Sequence, residues 1–181
     1  MKKLVLFISI VFLAARGEAQ FSKASLQASG LTCAMCSNAI NKALQVLPFV
    51  AEVNPDIKNS IFNITFKNSD EFSIDALQAA VEDAGFSVAK LQLTGQFNNV
   101  NVKNDQHIKI SDQVFHFVDI KDQQLSGEKT ITMVDKNFVT GKDFKKYSNK
   151  TVMECLQTGI AGNCCQQDGI AANTRIFHVT L

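Results

Sequence analysis

The stretch Ala24-Ser25-Leu26-Gln27-Ala28-Ser29-Gly30-Leu31-Thr32-Cys33-Ala34-Met35-Cys36-Ser37-Asn38-Ala39-Ile40-Asn41-Lys42-Ala43-Leu44 contains a change of hydrophobic period, and that change decides the fold of the chain around it. Before Gly30, Ala24, Leu26 and Ala28 alternate with polar residues at the two-residue period of a strand. After Cys36, Ile40, Leu44 and Leu47 recur at helical spacing, supported by Ala39 and Ala43, until Pro48 ends the helix. The loop between the two periods carries a pair of cysteines.

Working outward, Phe49 to Asn54 predicts a short strand and Pro55 to Asn59 a turn. Ile61 to Phe66 places Phe62, Ile64 and Phe66 on one face of a further strand. A second helix follows, with Ser73 as N-cap, Phe72 positioned to staple onto Leu77, and Ile74, Leu77, Val81 and Ala84 as the buried stripe. Gly85 falls where a C-cap belongs, and Ala89, Leu91 and Leu93 alternate in a closing strand. This order, βαββαβ over 21–95, predicts a ferredoxin-like α+β domain.

Residues 96–105, rich in Asn and Gln, read as a linker. Beyond them, short strands at His107–Ile110, Val114–Ile120, Lys129–Val134 and Thr174–Leu181, with helical stretches at Gly141–Tyr147 and Val152–Leu156, predict a separate β-rich domain over 106–181. A small barrel is one way to cover the edges of such strands. At the other end, Lys2-Lys3, the apolar run Leu4–Ala15 and Arg16-Gly17-Glu18-Ala19 predict an export signal over 1–19, cut near Ala19. That run is too short for a membrane span, so the mature chain is expected to be exported, periplasmic or secreted, without a span.

A formal net charge of +1 and 19% charged residues give no electrostatic case for nucleic acid. The pair Lys145-Lys146 reads as a solvated helix face. No Ser-His-Asp order, phosphate-cradling glycine loop or HExxH pattern points to an enzyme.

Five cysteines stand at 33, 36, 155, 164 and 165, an odd set that leaves at least one thiol outside any disulfide pairing. Cys33 and Cys36 lie where loop becomes helix, and the electropositive helix start favours anionic sulfur. Two intervening residues let both sulfurs converge on one point. Two thiolates suit the low coordination of Cu(I) or Hg(II) better than the four-ligand shell of structural Zn(II). Met35 is expected to pack against apolar neighbours. A redox pair of the thioredoxin kind is the rival reading of the same cysteines.

Gly30-Leu31-Thr32-Cys33-Ala34-Met35-Cys36, with Ser37-Asn38-Ala39-Ile40, Leu47-Pro48 and Ala84-Gly85-Phe86, resembles the heavy-metal-associated domain of copper chaperones, copper-exporting ATPase modules and mercury scavengers. The resemblance covers 21–95 only. It implies a ferredoxin-like carrier that holds one soft ion, Cu(I) before Hg, Zn or Cd, at Cys33 and Cys36 and passes it to a protein partner. Leu31 stands where the family has methionine and Phe49 where glycine commonly precedes valine. Phe86 would lie near the metal loop. A periplasmic thiol-disulfide oxidoreductase, or a sensor acting on a partner-binding β domain, are the alternatives.

Cys155, Cys164 and Cys165 predict either a disulfide from Cys155 to one of the adjacent pair or a second soft-metal site. His107, His116 and His178 are isolated in sequence and read as residues on the polar side of strands; Asp119, Asp122 and Asp135 read as turn and surface carboxylates.

Overall fold

Alternation in the first segment produces β1 (Gln20–Ser29), whose Phe21, Ala24, Leu26 and Ala28 are buried. The computed structural model describes residues 20–31, 34–67 and 72–181, so the expected signal segment and Cys33 lie outside the described residues. Helical spacing gives α1 (Ala34–Gln45), which buries Ile40 and Leu44. Then come β2 (Val50–Asp56), β3 (Ile61–Phe66), α2 (Ile74–Asp83) and β4 (Ser87–Val102). Ser73 Oγ accepts the Ala76 amide at 3.2 Å, which caps α2. Gly85 leaves the helix in the left-handed region at φ +88°, where a side chain would be strained.

The four strands are ordered β2-β3-β1-β4, every neighbouring pair antiparallel, with α1 and α2 packed on each other and against the sheet. That is the expected ferredoxin-like arrangement. Leu26, Ile40, Leu44, Leu77 and Leu91 are fully buried between the layers, each contributing about 1.5–3 kcal/mol of transfer free energy.

The expected linker is not a connector over most of its length. β4 continues to Val102 and pairs from Gln92 to Val102 with β7 (Gln123–Met133). The Asn and Gln residues that suggest a loop lie on the open face of this strand, while Phe97 and Val102 are buried beneath it. Asn99, at φ +54°, sits in the bulge between Phe97 and Val100, a place where asparagine tolerates the left-handed conformation.

β5 (Gln106–Ile110), β6 (Gln113–Phe117) and β8 (Ile176–Thr180) complete one eight-stranded sheet in the order β2-β3-β1-β4-β7-β8-β6-β5. The sheet is open rather than a barrel, with β2 and β5 at its edges. β6 and β8 run parallel, joined through β7, α3 (Gly141–Ser148), α4 (Cys155–Thr158) and a 3-10 turn at Asn163–Asp168. The apolar core is continuous from Phe21, Leu26 and Ile40 to Phe97, Phe115, Phe117 and Phe177. Lys145 and Lys146 are exposed on α3, as the sequence suggests. Among the described residues no helix is long and apolar enough to cross a membrane.

Candidate metal centres

Gly30 ends β1 at φ +83° and turns the chain toward α1. A side chain at this position would meet Phe86 at 3.9 Å, so the ring after α2 lies beside the loop, where the resemblance implies it. Cys36 is half-buried in the first turn of α1, and Ser37 next to it is buried. The first turn carries no acidic residue, so nothing there offsets the positive end of the helix. Met35 is 82% exposed: it does not pack as expected, because the helix turns this position away from the sheet. The expected ligand pair is therefore described at Cys36, while Cys33 directly precedes Ala34 in sequence and lies outside the described residues.

A second group of chemically active side chains lies in the other half. In the strand register His107 on β5 faces His116 on β6, and His116 faces His178 on β8. The three imidazoles form one row across three adjacent strands, and all are buried, at 6%, 0% and 0% exposure. This corrects the reading of them as isolated residues on a polar face. Phe115 and Phe117 are also fully buried, so β6 is covered on both faces and has no polar side. A run without polar alternation, Val114-Phe115-His116-Phe117-Val118, is the sequence signal that could have placed His116 inside.

Cys155, in the first turn of α4, is 1% exposed and points its sulfur at the row. Its Sγ lies 3.5 Å from His178 Nε2, 3.6 Å from His107 Nε2 and 3.9 Å from His116 Nδ1. The other nitrogen of each ring faces a carboxylate. His107 Nδ1 is 2.7 Å from Asp168, His178 Nδ1 is 2.8 Å from Asp135, and His116 Nε2 is 3.2 Å from Asp105. Asp135 also accepts the His178 amide at 2.8 Å and is 5% exposed, so it is a buried supporting residue rather than a surface carboxylate. Asp119 and Asp122 do serve loops, pairing with Lys150 and accepting the Asn104 amide.

Cys155, Cys164 and Cys165 stand as thiols rather than as the expected disulfide, their sulfurs within 4.8 Å of one another. The 3-10 turn brings Cys164, Cys165 and Asp168 to the cluster together. Burial, and next the neighbouring Cys165, push the Cys155 thiol well above its ordinary value. Burial, then His178 and His107, push the His116 imidazole down to about 3.

Comparison with known proteins locates the similarity in the first half. The family model for the heavy-metal-associated domain matches residues 25–87. Copper-transporting ATPase 1 of Rhizobium meliloti is 33% identical over 66 residues, which is 36% of this chain; the chain spans 8% of the length of that relative. Among solved structures, the yeast copper transporter domain Ccc2a is 28% identical with a TM-score of 0.34, covering 37% of this chain and 90% of that one. Oxidized MerP from Ralstonia metallidurans CH34 is 28% identical with a TM-score of 0.34, covering 39% and 96%. The fold assignment rests on the strand order above. Residues 25–87 of this protein match the model of the heavy-metal-associated domain, and this segment is built into a longer sheet through its fourth strand.

Proposed function

We propose that the protein binds a soft cation, Cu(I), through the thiolates of Cys33 and Cys36, and delivers it to a protein partner by thiolate exchange. The observation that carries this reading is the position of Cys36, in the unneutralised first turn of α1, beside the Gly30 turn and within the segment that matches the heavy-metal-associated family. Two sulfur donors leave room for a third from an acceptor, which favours transfer over storage. The similarity to a copper-transporting ATPase supports copper over mercury, zinc or cadmium. Export to a periplasm or to the outside, after removal of residues 1–19, fits the basic and apolar pattern of that segment.

Anaerobic Cu(I) titration of the reduced protein against a competing chelator tests this. Cys33→Ser and Cys36→Ser, together, are expected to remove one tightly bound equivalent while leaving the circular dichroism spectrum unchanged. An undiminished count would contradict the reading. The oxidoreductase alternative predicts turnover of a disulfide substrate with glutathione; none is expected here.

A further inference from the structure

The two ends of each buried imidazole lead to a count of protons that the protein alone does not satisfy. An ionised carboxylate only accepts, so the ring nitrogens 2.7 and 2.8 Å from Asp168 and Asp135 carry hydrogens. In the neutral rings, His107 Nε2 and His178 Nε2 are then bare lone pairs, and both point at the sulfur of Cys155, as does His116 Nδ1. A single S–H can donate to one of three nitrogens. The others face sulfur lone pairs in a site closed to water. Charging the rings instead would stack like charges at centroid separations of 4.6 and 5.1 Å. A cation between Cys155, His107 and His116 relieves the conflict, because it turns the inward lone pairs of those two rings into donors and leaves His178 Nε2 facing the sulfur alone.

We propose that Cys155 Sγ, His107 Nε2 and His116 Nδ1 form a second, buried metal site that takes one thiophilic closed-shell cation, Cu(I) or Zn(II), with His178 Nε2 beside the same sulfur at 3.5 Å. The spacing supports this. Bonds of about 2.3 Å to sulfur and 2.0–2.1 Å to nitrogen, opened to a tetrahedral angle, separate sulfur from nitrogen by about 3.6 Å. The observed separations from the sulfur to His107 and His116 are 3.6 and 3.9 Å. Donor atoms of His107, His116 and Cys155 also lie within 4.8 Å of one another. The carboxylates of Asp168 and Asp135 fix the orientation of the His107 and His178 rings in the manner of supporting residues at known metal sites, whereas His116 Nε2 lies 3.2 Å from Asp105 without a hydrogen bond. Mixed nitrogen and sulfur donors exclude Mg and Ca and suit Cu(I) and Zn(II).

The charges also balance. Binding displaces the Cys155 proton to solvent, one per ion. With Cu(I) the thiolate and two neutral imidazoles give a neutral centre; with Zn(II) the remaining positive charge faces the carboxylates behind the rings. This site is independent of Cys33 and Cys36, so its failure and the failure of the carrier reading are separable.

The test uses the mature protein carrying Cys33→Ser and Cys36→Ser, reduced and metal-free, dialysed anaerobically against Zn(II) alone and against Cu(I) alone. One bound equivalent of either ion is expected, with release of one proton and a rise in melting temperature; the ion held more tightly identifies the cation. His107→Gln and His116→Gln, added to that background, should weaken binding by about a hundredfold or more. Since buried variants can fail to fold, ring-nitrogen chemical shifts in the background protein give a second readout. On loading, His107 Nε2 and His116 Nδ1 should move from bare to coordinated values. No bound metal in the folded protein would overturn the proposal. So would bound metal that leaves those nitrogens unmoved, or metal that is lost with Cys164→Ser and Cys165→Ser while the rings do not respond.

Discussion

His116 shares β6 with Phe115 and Phe117, and all three are fully buried, so the imidazole has lost the water that would stabilise its charge. Unfolded, the ring takes a proton near 6.5; folded and metal-free, it takes one only near 3. Between those values the unfolded chain binds more protons. The metal-free protein is therefore expected to keep its stability above pH 6.5 and to lose it as the pH falls toward 3, by about tenfold in the folding equilibrium per pH unit. Urea denaturation at pH 7 and pH 5 checks this, and equal midpoints would contradict it. At Gly95 the constraint is space. A Cβ there would sit 3.0 Å from the Cα of Phe21 on the neighbouring strand. Gly95→Ala should cost about 1–3 kcal/mol of stability, read as a lower urea midpoint.

Most elements are legible from period and punctuation. Ser73, Gly85 and the stripe Ile74, Leu77 and Val81 mark α2 at both ends, and the structure caps it at those residues. Ser73→Ala should remove that cap, costing about 1 kcal/mol and speeding hydrogen exchange in the first turn of α2. An unchanged exchange rate would show that the cap contributes little. β4 is the element that composition misreads. Gln96, Asn98 and Asn101 describe a strand with one wet face and a bulge at Asn99, and side-chain polarity alone does not separate that from a loop. The histidine row is hidden for a different reason. His107, His116 and His178 become neighbours only through strand register, and the parallel β6–β8 pairing crosses residues 118–175, which hold β7, two helices and a 3-10 turn. Nothing local announces that pairing. Cys33 and Cys36 are close in sequence, so a reading of that pair needs no long-range pairing; Cys36 lies in the first turn of α1, and Cys33 lies outside the described residues.

At the scale of the whole molecule, β4 joins the heavy-metal-associated domain to the remaining strands, and the apolar core runs through without a break. Phe97 on β4 and Phe21 on β1 meet edge to face, and Phe21 also meets Phe115 on β6. Arg175, just before β8, pairs with Asp75 on α2 at 3.1 Å and with Asp135 behind His178 at 3.5 Å, a second tie between the halves. Phe97→Ala should cost about 3–5 kcal/mol and lower the melting of both halves together. Separate transitions, seen by probes placed in each half, would show that they fold independently. The partition into 21–95 and 106–181 is thus a division of chemistry carried on one continuous sheet, with half-buried Cys36 at one place and a buried imidazole-thiol cluster at another.

The most direct measurement is an amide NMR titration of the reduced protein with Cu(I) under anaerobic conditions. The account predicts that Gly30, Met35, Cys36 and Phe86 shift together and saturate at one equivalent of their own, and that Cys33→Ser and Cys36→Ser abolish those shifts. Uptake of the ion with those four amides unmoved would contradict it.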